Sequence, residues 1–176
     1  MRKRSLLVVF LAVGLVACHQ HSASPTASKE KKVIAAGEIG SRLPDFSVKD
    51  LYGRQVSSAD LHGKVVLIDF WATWCEPCKT EMPGYQRLLD RYGSRGFQVV
   101  GFKFDMMKDV EDPVLFAKKI RVRYPLAVAT EQVRQAFGGI EGLPTTLVYD
   151  RQGLLRYKVV GFEYTDTVES QIKPLL

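Results

Sequence analysis

Cys75 and Cys78 stand three residues apart in the run Trp74-Cys75-Glu76-Pro77-Cys78, where a strand-like apolar run hands over to a helix-like one. Thiols at that spacing, across a first helical turn, can reach disulfide geometry. A thiol at a helix N-terminus also meets unpaired N–H groups and the positive end of the macrodipole, both of which favour the thiolate. Cys75 is therefore expected to be the nucleophile. Cys78, one turn further in, is expected to be buried and to resolve a mixed disulfide. Other thiol chemistry is less well served. A zinc site needs partners, and past the N-terminal segment the chain offers no other cysteine and only His62. A c-type haem site needs histidine after the second cysteine, where Lys79 stands. A purely structural disulfide would close too small a loop to stabilise much.

Two acids bear on the pair. Asp69 interrupts the otherwise apolar run over residues 64–71. Burying a bare carboxylate is costly, so its pKa is expected to rise. The alternative is an ion pair with a buried lysine. Glu76 lies between the cysteines. As an acid in a first helical turn it is favourable by about 0.3–1 kcal/mol. Beside a Cys75 thiolate, at ~6 Å and an effective dielectric of about 20, its repulsion approaches roughly 3 kcal/mol, less when exposed. Glu76 is thus expected to raise the Cys75 pKa and to make the pair more reducing.

The elements that must position these groups are readable from pattern. Residues 64–71 form a nearly continuous apolar run, which suggests a strand buried on both faces. Met82, Tyr85, Leu88, Leu89 and Tyr92 recur at helical spacing, giving a helix over 76–92. A second apolar strand is expected over 97–104. Asp112-Pro113 reads as an N-cap with proline at the first helical position, opening a helix to about 120. A short strand over 126–129 precedes a helix capped by Thr130 and ended by Gly138-Gly139. Strands over 145–149 and 154–160 are joined by a hairpin at 150–153, and a helix over 165–173 closes the chain. Ahead of all this, 44–48 and 55–57 read as a strand, a turn and a return strand. The order after residue 64 is β-α-β-α-β-α-β-β-α, an α/β class with a mixed central sheet flanked by helices.

The segment Asp69-Phe70-Trp71-Ala72-Thr73-Trp74-Cys75-Glu76-Pro77-Cys78-Lys79 resembles the active-site segment of the thioredoxin superfamily, and Pro83 matches its helix-kinking proline. Gly142-Leu143-Pro144-Thr145 resembles the second signature of that superfamily, in which Pro144 would be a cis-proline facing the cysteines. The lead-in Leu43-Pro44-Asp45-Phe46-Ser47-Val48, with Gly63-Lys64, Glu81 and Thr146, is similar to the TlpA/ResA-like group of exported, membrane-tethered thiol-disulfide reductases. The likeness runs over residues 43–176 and implies a thioredoxin-like fold with an N-terminal strand extension. It also implies roles. The Leu143 backbone, with Pro144 and Thr145, would pair an incoming peptide strand, and Trp74 would shield the cysteine edge unless it is plain core. Pro144 would keep metal off the dithiol. Glu76 and Pro77 would tune the potential. Asp69 would be the acid/base serving Cys78, a departure from exported relatives with a neutral residue there. Glu81 matches an active-site glutamate, its alternative being a solvated charge on the helix face.

The resemblance further implies a DsbD- or CcdA-like electron donor, apocytochrome c or copper-site assembly proteins as substrates, no cofactor or metal, and a monomer. Two other functions are weaker. A peroxide-reducing enzyme of the peroxiredoxin-like branch would carry proline and threonine where Ile68 and Ala72 stand. A copper chaperone would need a distant ligand, and no histidine follows the core strand.

The N-terminus reads as targeting. Arg2, Lys3 and Arg4 precede a charge-free run over residues 6–17, too short for a spanning helix, for which roughly 20 residues are needed. Leu15-Val16-Ala17-Cys18 resembles a bacterial lipobox, with residues 1–17 as signal peptide and Cys18 as the lipidated residue. Residues 18–36 then form a flexible tether and residues 37–176 one domain. His19 after the lipidated cysteine favours an outer membrane where there are two, giving a periplasmic or other extracytoplasmic location. His19 and His21 could bind metal, but solvated linker residues are the simpler reading. The 176-residue chain carries a formal charge of +6. Loss of the three leader cations would leave +3, and the remaining basic residues are scattered, which speaks against nucleic acid.

Overall fold

The computed structural model describes residues 35–104 and 109–176. The expected signal peptide, Cys18 and nearly all of the tether lie outside the described residues. Five strands form the main sheet: β3 (Val65–Trp71), β4 (Phe97–Phe104), β5 (Leu126–Ala129), β6 (Thr145–Tyr149) and β7 (Leu155–Val160). Their spatial order is β5-β4-β3-β6-β7, after a separate antiparallel pair of β1 (Ser47–Lys49) and β2 (Gln55–Ser57). β3, β4 and β5 run parallel, and β6 and β7 run antiparallel to their neighbours. β3 is central and buried along its whole length, as its unbroken apolar run requires.

Alternation along β3 sends successive side chains to opposite faces. Phe70 meets Phe102 and Phe137 on one face, where Phe46 of the lead-in joins them. Trp71 lies on the other face and stacks on Phe116. The helices are α1 (Glu76–Tyr92), α2 (Pro113–Lys119), α3 (Glu131–Ala136) and α4 (Thr165–Ile172). Their starts follow the expected chemistry. Asp112 accepts from the N–H groups of Val114 and Leu115, and Thr130 accepts from Val133. α1 and α4 approach so closely that a Cβ on Gly84 would lie 2.0 Å from Thr165 Oγ1.

The lead-in covers part of each edge of the sheet. Residues 40–43 bond to the outer side of β7 and its turn, through Gly40 to Leu155, Leu155 to Ser41 and Leu43 to Gly153. At the opposite edge the Leu51 N–H donates to the Leu126 carbonyl at 2.6 Å. The remaining differences from the sequence expectation are small. β1 begins three residues later, at Ser47, and runs to Lys49; β3 begins at Val65 and β7 at Leu155, and 3-10 turns occur at Ser58–Leu61, Gly93–Arg95 and Lys173–Leu175. Among the described residues no helix is long and apolar enough to cross a membrane.

Candidate active site

The chain leaves the end of β3, makes a tight turn and enters α1 at Cys75. The turn is held from outside. Thr73 Oγ1 donates to Asp109 Oδ1 at 2.9 Å and accepts from the Val110 N–H, while Asp109 Oδ2 pairs with the buried Lys103 ammonium at 2.8 Å. Cys75 is the N-cap of α1, in extended backbone, and its sulfur accepts the Cys78 N–H at 3.3 Å. On reduction that contact and the free N–H groups of the first turn would favour a Cys75 thiolate. The two sulfurs are joined as a disulfide with Cα atoms 5.3 Å apart. Cys78 is wholly buried, and Cys75 retains a 4% exposed edge. The pair is therefore asymmetric in access.

Trp74 is half-buried against the core, with its indole N–H buried and unpartnered among the described residues. Pro77 is exposed. Glu76 is also exposed, and its carboxylate is paired with the Lys79 ammonium. The neighbouring cation and the solvent both weaken the field that Glu76 casts on Cys75.

The two remaining acids sit inside. Asp69 is 0% exposed and neither of its oxygens has a hydrogen-bond partner among the described residues. Burial pushes its pKa well above the ordinary carboxylate range, and the Glu81 carboxylate adds to the rise; the nearby Tyr124 hydroxyl, without a well-aligned hydrogen bond, opposes it. The alternative of an ion pair with a buried lysine is not realised, since Lys103 is turned toward Asp109. Glu81 is only 2% exposed, so it is not a solvated helix-face charge. It shares the buried face of α1 with Cys78, Met82 and Tyr85. Its Oε1 accepts the Glu163 N–H at 2.5 Å and its Oε2 accepts the Tyr85 hydroxyl at 3.2 Å. Burial pushes its pKa up to about 7, against the pull of those two donors.

The second signature lies alongside. Thr145 pairs with Phe70 at the end of β3 that leads to Cys75, which sets the preceding segment at the disulfide end of the sheet. The Leu143–Pro144 bond is cis. The Pro144 carbonyl accepts the Gly161 N–H at 2.8 Å, and Thr145 Oγ1 donates to the Gly142 carbonyl at 2.7 Å. The backbone N–H and C=O of half-buried Leu143 have no partner among the described residues. A cavity of about 620 Å³ lies at the far end of β3, between Arg42, Lys64 and Arg151.

Sequence reasoning missed three groups around the acids, Tyr85, Tyr124 and Glu163, and had Thr146 only as a position of the second signature. Tyr85 was visible only as one apolar position of α1. Its hydroxyl also lies 2.9 Å from Thr146 Oγ1. Tyr124 is buried, its hydroxyl has no well-aligned partner among the described residues, and Gln86 accepts its backbone N–H. Only the four-residue step from Glu81 to Tyr85 was a local signal.

A solvent-edge sulfur, a buried partner sulfur and buried acids suit two-electron thiol-disulfide exchange. Known proteins agree. Residues 39–158 match the AhpC/TSA family model. The thiol-disulfide oxidoreductase ResA of Bacillus anthracis is 30% identical over 150 residues, covering 85% of this chain and 82% of that protein. The thioredoxin-like protein YneN of Bacillus subtilis (strain 168) is 34% identical over 132 residues, covering 74% and 76%. A crystal structure of a thiol:disulfide interchange protein of the thioredoxin family from Chlorobium tepidum TLS superposes with a TM-score of 0.71 at 31% identity, covering 80% of this chain and 99% of that one. The chain belongs to the AhpC/TSA family and, within it, to the thioredoxin-fold thiol-disulfide oxidoreductases similar to ResA.

Proposed function

We propose that this oxidoreductase is a lipid-anchored reductant of protein disulfides working outside the cytoplasm. The observation that carries the reading is the unpaired Leu143 backbone beside cis-Pro144, at the same end of the sheet as the Cys75 edge. An extended substrate strand can pair there and present its disulfide to Cys75. Exposed apolar residues flank the site: Val110, whose N–H bonds Thr73, on one side, and Val160, Phe162 and Tyr164 on the other. Such a surface suits an unfolded polypeptide better than a small peroxide.

In the reduced protein the Cys75 thiolate attacks one substrate sulfur. The substrate S–S bond breaks, and its electron pair leaves on the second sulfur, which takes a proton. Cys78 then gives its proton to Asp69, with Glu81 beside it, and the Cys78 thiolate attacks Cys75 Sγ. The Cys75–Cys78 bond forms, the bond between Cys75 and the first substrate sulfur breaks, and that sulfur departs as a thiolate to be protonated. Two electrons have passed to substrate. Trp74 covers the cysteine edge during exchange, while Thr145 supports the Leu143–Pro144 turn.

In this reading residues 1–17 are a removed leader, Cys18 carries lipid, residues 18–36 are the tether and residues 37–176 the working domain. Electrons come from a DsbD- or CcdA-like membrane donor, and apocytochrome c is the first substrate to test. Substitution Cys78→Ala should trap substrates as mixed disulfides on Cys75, identifiable from cells. A glutathione titration should give a reducing potential; a value near about −120 mV, that of a strong oxidant, would overturn the reductant reading.

A further inference from the structure

Two buried acids lie together on the sheet face covered by α1, one from β3 and one from α1. A hydroxyl stands between them. Tyr85 donates to Glu81 Oε2 at 3.2 Å and lies 2.9 Å from Thr146 Oγ1. Thr146 is the cross-strand partner of Asp69, so their side chains project from the same face. Tyr85 has one proton to donate and two claimants for it. When Glu81 is ionised the proton is held by Glu81. When Glu81 is protonated it is released toward Thr146, next to Asp69.

The other titratable neighbours are few. α1 contributes Cys78, the chain ahead of β5 contributes Tyr124, and β7 and the loop after it contribute Tyr157 and Glu163. On β4, Lys103 is engaged by Asp109.

We propose that Asp69 and Glu81 act as one coupled pair, with Tyr85 as the positioning residue that joins them, so that the charge state of Glu81 decides which way Asp69 moves a proton. With Glu81 neutral, Asp69 can ionise and accept the proton of Cys78 as the internal disulfide forms. With Glu81 anionic, Asp69 stays protonated and supplies a proton to Cys78 as the disulfide is reduced. No proton or electron is created in either direction; the proton only changes place between Cys78 and Asp69. This inference rests on the reading above that the two carboxyls handle the protons of exchange.

The test is a carboxyl-carbon NMR titration of the oxidised full-length protein and its variants. Glu81→Gln should lower the Asp69 midpoint by about one pH unit or more, because Asp69 titrates against the Glu81 charge. Asp69→Asn should leave the Glu81 midpoint nearly in place, because Asp69 is still protonated where Glu81 titrates. Tyr85→Phe keeps the ring and removes the donor, so it should raise the Glu81 midpoint. An Asp69 midpoint that ignores Glu81→Gln overturns the pair, and a Glu81 midpoint that ignores Tyr85→Phe overturns the role of Tyr85. Should Tyr85→Phe fail to fold, the Asp69 midpoint in Glu81→Gln still decides whether the pair exists. Thiol-exchange rates from pH 5 to 8 separate the two layers. If neither acid variant slows exchange, the proton-handling reading falls, whatever the titrations show.

Discussion

The molecule buries carboxylates at both ends of its sheet and treats them oppositely. At the hairpin between β6 and β7, Asp150 accepts from the N–H groups of Gln152 and Leu154 and from the Arg156 guanidinium. Burial pushes its pKa up, but those donors outweigh it and hold the carboxyl below the ordinary range. Asp50 is dressed the same way by Tyr52, Arg54 and the Arg54 guanidinium. At the disulfide end, neither oxygen of Asp69 has a well-aligned hydrogen-bond partner among the described residues, and only the nearby Tyr124 hydroxyl opposes the effect of burial. A satisfied buried acid fixes a turn. An unsatisfied one is pushed by burial toward its neutral form, a cost in stability at neutral pH of the kind found at functional sites.

The largest expected effect is on the sulfurs. Cys75→Ser should abolish disulfide reduction altogether in an insulin-precipitation assay, and Cys78→Ala should stop turnover at the trapped mixed disulfide. Asp69→Asn comes next. It should slow release of the mixed disulfide by about 10²-fold, within the range for general acid–base groups, in a stopped-flow thiol assay.

The same substitution should stabilise the fold at pH 8. The folded pKa of Asp69 is raised, so folding binds a proton. Stability is then greatest below the ordinary value of 3.8 and falls as pH climbs toward the folded value, a slope Asn does not have. Glu81 adds a similar loss between 4.5 and about 7. Urea unfolding at pH 4, 6 and 8 measures both. A slope of the opposite sign would erase the contrast between the two ends.

Asp150→Ala tests the other end. It should cost about 2–4 kcal/mol in urea unfolding, since three donors lose their acceptor, and leave the exchange rate of the folded protein unchanged. A comparable loss of thiol activity would show that the two ends are not separable. The smallest effect is expected at Glu76. With Lys79 beside it and water around it, Glu76→Gln should lower the Cys75 pKa by less than about half a unit, as judged by alkylation rate against pH. A shift of a full unit would restore the strong repulsion expected from sequence.

Much of this architecture was legible because long apolar runs and capping residues are local. β3, β4, α1 and the Asp112 and Thr130 caps follow from residues adjacent in the chain. The cysteines, Asp69 and Pro144 were legible for the same reason, each lying inside a contiguous motif. Glu81 gave conflicting signals. Its spacing from Cys78, Met82 and Tyr85 put it on the buried stripe, while its charge argued for solvent; the Tyr85 hydroxyl and the Glu163 N–H, the latter 82 residues away, satisfy it there. Thr146 and Tyr124 are recognisable only once β6 and the start of β5 are folded beside β3. No local pattern marks a hydroxyl that will face a carboxylate across a sheet.

The lead-in has a consequence for the order of assembly. Residues 40–43 precede everything in the domain, yet their partners at Gly153 and Leu155 come more than 100 residues later. These residues therefore have no partner until β7 and its turn have been made, whereas the Leu51 contact with β5 needs only the first part of the chain and β5 itself. A chain cut short after β6 would keep its cysteines and its acids but leave residues 40–43 without the strand they bond.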